Sequence, residues 1–88
     1  MKLSIIIPVF NEQSTIEEVL KRVQEEIIPH VDKEIIVVDD GSTDLTRSKL
    51  KKIKSFGIKI ILQPKNQGKG SAVLTGIKAS SGDYIIIQ

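Results

Sequence analysis

An α/β fold with a parallel, Rossmann-like sheet is predicted by three features of the chain. Four short runs, Leu3 to Val9, Glu34 to Val38, Ile58 to Leu62 and Tyr84 to Ile87, are nearly continuous in Ile, Val and Leu. Strands covered on both faces have this composition. Helical patterns separate the runs, giving the order βαβαβαβ, and right-handed crossovers then place the strands side by side and parallel. The third feature is the stretch Ile35-Ile36-Val37-Val38-Asp39-Asp40-Gly41-Ser42-Thr43-Asp44, where a buried strand ends abruptly in two carboxylates. Successive side chains on a strand point to opposite faces, so at least one of the pair aims into the crevice at the carboxyl end of the sheet, where open α/β folds bind ligands.

The elements follow in order. After the first strand, Ile16, Val19, Leu20, Val23 and Ile27 mark one face of a helix. Ser14 with Glu17 has the spacing of a capping box at its start, and Pro29 ends it. The second strand runs into the Asp39-Asp40 turn. A second helix is expected from about Asp44 to Phe56, with Leu45, Leu50, Ile53 and Phe56 as its buried stripe and Gly57 as its cap. It is basic, with Arg47, Lys49, Lys51, Lys52 and Lys54, and Lys49 to Lys54 read as a solvated face. A third helix, from about Gly70 to Ala79, uses Ala72, Val73, Gly76 and Ile77 to lie close on the sheet. The last strand stops at Gln88 in mid-pattern, so the chain reads as a single partial domain over residues 1–88, the front half of something larger.

Composition narrows the function classes. Eighty-eight residues allow one small domain, which buries only roughly 60–65% of its unfolded surface. With no cysteine there is neither a disulfide framework nor a thiolate zinc site. A net charge of +2 and only three aromatics, Phe10, Phe56 and Tyr84, argue against nucleic acid as a partner. No apolar run reaches the ~20 residues that span a bilayer, and the N-terminus has no secretory-signal pattern, so a cytoplasmic protein is expected.

Three loops leave the carboxyl ends of the first three strands and share one edge of a parallel sheet. In the first, Pro8-Val9-Phe10-Asn11-Glu12, Phe10 can pack on a flat ring while Asn11 and Glu12 offer hydrogen-bonding groups or simply start the helix. In the second, Asp39 and Asp40 suit a nucleobase N–H or ribose hydroxyls, or else buried backbone amides. Ser42, Thr43 and Asp44 read as helix-start residues. The third, Asn66-Gln67-Gly68-Lys69-Gly70-Ser71, joins glycines and a cation to a helix N-terminus, a combination that suits a phosphate or a flexible turn. It is not a Walker loop, because position 63 is Gln, nor a dinucleotide fingerprint, because position 73 is Val. His30 reads as a solvated surface residue.

The stretches IIIPVFNE (5–12), VVDDGSTD (37–44), NQGKGSAVLTGIKAS (66–80) and SGDYIII (81–87), in this order and spacing, resemble the N-terminal, nucleotide-binding part of family 2 inverting glycosyltransferases of the GT-A fold, the dolichol-phosphate mannosyltransferase-like group included. The resemblance covers essentially the whole chain. It implies a sheet that binds a UDP- or GDP-sugar, with Pro8, Phe10 and Glu12 lining the nucleobase and ribose pocket and Asn11 in the same loop. Asp40 would be the base or ribose contact, with Asp39 and Gly41 beside it, and Lys69 would sit near the base or diphosphate. Such enzymes carry an Asp-x-Asp motif after the strand equivalent to Tyr84–Ile87, holding Mg or Mn against the diphosphate. That motif would begin where this chain stops. The resemblance therefore implies no metal ligand, catalytic base or acceptor site within residues 1–88, and no turnover by this chain alone. It also suggests a parent enzyme at the cytoplasmic face of a membrane, and an open strand edge that invites self-association.

Two other classes fit parts of the pattern. A stand-alone nucleotide-binding or regulatory module would share the cleft without catalysis. A receiver-like phosphoacceptor domain needs acidic residues after the first strand and an Asp after the third, where this chain has Asn11-Glu12 and Gln63-Pro64.

Overall fold

A computed structural model describes residues 1–53 and 57–88. Its elements are β1 (Lys2–Val9), α1 (Ile16–Glu25), β2 (Asp32–Asp40), α2 (Thr46–Lys51), β3 (Ile58–Gln63), α3 (Lys69–Ala79) and β4 (Tyr84–Ile87). The strands form one parallel sheet in the order β3-β2-β1-β4. The predicted α/β class and strand order along the chain hold.

The two faces of the sheet bury different residues, as strand alternation requires. Leu3, Ile5, Ile7 and Val9 of β1 and Ile35 and Val37 of β2 pack under Ile16, Leu20 and Val23 of α1 and Leu50 of α2. On the other face Ile36 and Val38 lie against Ala72 of α3. Gly76 lets α3 approach closely: a Cβ there would come within 2.5 Å of Ile6 Cγ2.

Several elements differ from the sequence reading. β2 runs through both aspartates instead of ending at Val38. α1 ends at Glu25 because Glu26 turns extended, and Lys33 Nζ donates to the freed carbonyls of Val23 and Glu26. Ile27 therefore leaves the apolar stripe and is 86% exposed. No capping box forms between Ser14 and Glu17. Thr15 holds the N-cap position, and the Glu12 carbonyl accepts the amides of Thr15 and Ile16.

α2 spans only Thr46–Lys51, so Leu45 precedes it and is 59% exposed. The predicted stripe residue Phe56 lies outside the described residues. Gly57, with φ +86°, does not cap α2; its carbonyl accepts the Ile35 amide instead. Finally, β4 is not covered on both faces, and all four of its residues are exposed. Among the described residues no helix is long and apolar enough to cross a membrane.

Candidate functional site

The carboxyl ends of β1 and β2 and the N-terminus of α3 enclose a cleft of about 300 Å³, lined by Pro8, Val9, Phe10, Glu12, Asp40, Asn66, Gly68, Lys69 and Ala72. Five residues predicted for a binding site from three loops, Pro8, Phe10, Glu12, Asp40 and Lys69, thus meet at one place. Phe10 is 43% exposed, an aromatic face held open to solvent.

The two aspartates have different tasks, set by the alternation of β2. Asp39 is fully buried and points toward α2. Its carboxylate accepts the Ser42 hydroxyl at 2.5 Å and the Ser42 amide at 3.2 Å. It also pairs with the Arg47 guanidinium at 2.8 Å. Arg47 in turn donates to the Gln63 carbonyl, so it ties β2, α2 and β3 together rather than decorating a basic face. Lys49 of the same helix is likewise engaged, with Glu17 at 3.1 Å and the Gln13 carbonyl at 2.6 Å.

Asp40 points to the α3 side and borders the cleft while remaining 3% exposed. Its Oδ1 accepts the Gln63 side-chain amide and the Gln67 backbone amide, both at 2.8 Å. Its Oδ2 accepts the Gly68 amide at 2.9 Å. The backbone amides of Gln67 and Gly68, in the loop read from sequence as suited to a phosphate, are therefore occupied by an internal carboxylate. A carboxylate has about four acceptor positions. Three are used here, which leaves one on Oδ2 for a donor in the cleft.

Asn11 and Gly41 serve the loops rather than the cleft wall. Asn11, in the left-handed region at φ +52°, accepts the amides of Thr43 at 2.8 Å and Asp44 at 3.3 Å through Oδ1, and its own amide donates to Ser42 Oγ at 2.9 Å. The Glu12 amide donates to Thr46 Oγ1 at 2.8 Å, and Gln13 and Asp44 add further bonds between the same loops. Burial alone would raise the Asp44 carboxyl, but the hydroxyl and amide of Thr46 and the amide of Gln13 hold it below its ordinary 3.8. Gly41, at φ +73°, passes so close to Lys65 and Asn66 that any Cβ would overlap their backbone. Asp39, Asn11 and Gly41 thus brace the loops behind the cleft and are not among the residues that line it. Sequence reading missed Asn66 as a lining residue and Arg47, Thr46 and Gln63 as supports. Their partners are set by tertiary contact, and only the Ser-Thr-Asp run hinted at them.

The described residues do not assemble a divalent-cation site. Among the described residues no three His, Cys, Asp or Glu side chains converge, and both aspartates are committed to protein donors.

The sequence and fold of the chain match known proteins. The model of the family described as Glycosyl transferase family 2 matches residues 4–88. The chain belongs to glycosyltransferase family 2. A dolichol-phosphate mannosyltransferase of Pyrococcus furiosus is 39% identical over 89 residues, covering the whole of this chain and 25% of that protein. Solved structures align closely as well. S. aureus TarS 1-349 in complex with UDP has TM-score 0.87 and 29% identity, covering all of this chain and 27% of its own. A mannosyltransferase from Pyrobaculum calidifontis in complex with GDP-Man and Mn2+ has TM-score 0.84 and 28% identity, covering 94% of this chain and 25% of its own. The fold is that of the GT-A glycosyltransferases. The chain spans 20–29% of the length of the curated relatives it matches.

Proposed function

We propose that this chain is the donor-nucleotide-binding part of a glycosyltransferase and that its cleft receives the base and ribose of a UDP- or GDP-sugar. The observation that carries this reading is the convergence of Phe10, Glu12, Asp40 and Lys69 on one cleft. Phe10 offers a ring face for stacking on the base. The remaining acceptor position of Asp40 selects a base that presents a ring N–H, as uracil and guanine do and cytosine does not. Glu12 supplies an acceptor for ribose hydroxyls. Lys69 supplies positive charge near the diphosphate, where the Gln67 and Gly68 amides are already engaged by Asp40. The relatives support the donor class: TarS is described in complex with UDP and with UDP-GlcNAc, and the archaeal mannosyltransferase with GDP-Man. The dolichol-linked names of two relatives make a lipid phosphate the acceptor this reading carries.

Equilibrium dialysis against UDP, GDP and CDP tests it. UDP or GDP should be retained about tenfold better than CDP, the cost of facing a buried acceptor with another acceptor, and Phe10→Ala should weaken all three. Equal retention of CDP would overturn the role given to Asp40.

A further inference from the structure

A third buried carboxylate sits toward the opposite end of β2 and does not line the cleft. Glu34 Oε2 accepts the hydroxyl of Ser4 at 2.6 Å, the amide of Ser81 at 2.6 Å and the hydroxyl of Ser81 at 3.1 Å. Its other oxygen lies 3.7 Å from both Lys2 Nζ and Lys59 Nζ. The same serine passes the contact onward, because Ser4 Oγ accepts the Gly82 amide at 2.9 Å. A Cβ at Gly82 would come within 2.5 Å of Ser4 Oγ and 3.0 Å of the Lys2 carbonyl. Asp83 and Lys2 close the turn: the Lys2 amide donates to Asp83 Oδ2 at 2.9 Å, and the Asp83 amide donates to the Lys2 carbonyl at 2.8 Å.

These contacts bear on β4, whose own sequence does little to fix its place. Tyr84-Ile85-Ile86-Ile87 pairs with Leu3 to Ile6, and all four of its side chains remain exposed. A slip of two residues would put Ile86 in the place of Tyr84, Ile87 in that of Ile85 and Gln88 in that of the half-exposed Ile86, so side-chain burial penalises it only weakly. Register is weakly specified when no face is firmly buried. Such a slip would carry the end of the strand about 7 Å along the sheet. That end matters, because the Gln88 amide donates to the Ile6 carbonyl at 2.9 Å and Gln88 shares a groove with Pro8, Val9 and Glu12, which also line the cleft.

We propose that Glu34 is a positioning residue: acting through Ser4, Ser81 and Gly82, its carboxylate sets the register of β4 on β1 and so places the carboxyl end of β4 beside the nucleotide cleft. The link to the cleft rests on the nucleotide-binding reading; the register claim does not. Burial would raise the Glu34 carboxyl, but the bonds from Ser4 and Ser81 and the charge of Lys2 hold it down to about 2, against an ordinary 4.5. The charged groups around it are Lys2 of β1, Lys59 of β3 and, across the turn, Asp83. Acid therefore removes the latch only as this carboxyl takes up its proton.

Residue-resolved amide exchange and cross-strand NOEs on the 88-residue chain test the register claim without any nucleotide. In Glu34→Gln the amides of Asp83 and Gln88 should exchange about tenfold faster while those of β2 stay protected, the mark of a local opening rather than global unfolding. The unaltered chain should show the same selective loss in acid, and Glu34→Gln should show no further acid response. Should Glu34→Gln fail to fold, Ser4→Ala must still give a smaller loss at the same two amides. Unchanged protection and an unchanged Leu3–Tyr84 NOE in Glu34→Gln, or in Ser4→Ala where it stands in, would overturn the proposal. So would an equal loss across all four strands. UDP-induced shifts at Phe10 and Asp40 report separately on the cleft, so failure there leaves the register result standing.

Discussion

β2 and β4 are both short apolar strands, yet they are held by different forces. Ile36, Val37 and Val38 of β2 are completely buried, closed in by α1 and α2 on one face and α3 on the other. Among the described residues, Tyr84 to Ile87 of β4 are 42–62% exposed and β1 alone borders the strand. Packing specifies the first, and a polar latch at Glu34 and Ser4 specifies the second. A run of isoleucines states a preference for extended, covered backbone. Its place in the sheet then decides whether that preference is satisfied by burial.

The largest effect expected from this contrast is in the centre of the sheet. Ile36→Ala should cost about 3–4 kcal/mol of unfolding free energy by urea titration, from lost burial and the cavity left behind. Ile86→Ala in β4 should cost about 1 kcal/mol or less, since half of that side chain already meets water. Similar losses at both positions would erase the distinction. The packing of α3 on the centre gives the next test. Gly76→Ala, which drives a Cβ to 2.5 Å from Ile6, should destabilise by about 1–3 kcal/mol. Gly70→Ala, with nothing within 4 Å, should be neutral or stabilising by up to about 1 kcal/mol.

The polar latch has its own signature in acid. The Glu34 carboxyl is lowered on folding, so its contribution is present above the unfolded value near 4.5 and is lost as pH falls toward about 2. That contribution is on the order of 3 kcal/mol. Urea titrations between pH 6 and 2 should show the loss, and Glu34→Gln should be flatter over that window. At the cleft the smallest effect is expected: Lys69→Ala should weaken UDP binding several-fold, by roughly 1 kcal/mol, and leave uridine unaffected, with the difference fading in high salt.

Much of this was legible in the chain because Ile and Val cluster where strands are buried and because Asp39-Asp40-Gly41 marks a strand end. The alternation of β2 announced that one aspartate faces the cleft, and Asp40 does. What Asp39 would meet was not legible. Its partner Arg47 lies eight positions on and reads as one more cation of a basic helix. The amides that occupy Asp40 come from 27 and 28 positions away. Likewise α1 stops short of Ile27 because Lys33 reaches back to its last carbonyls, a contact that no helical period contains. Glu34, hidden in front of an apolar run, gave no sign that it meets Ser81 across 47 positions.

The most direct test of the nucleotide half-site is an amide NMR titration of the 88-residue chain with UDP and with GDP, with and without manganese. Shifts confined to Phe10, Glu12, Asp40, Gly68 and Lys69, independent of manganese and lost in Phe10→Ala, are the expected result. A dispersed spectrum that neither nucleotide perturbs, or shifts that gather away from this cleft, would contradict it.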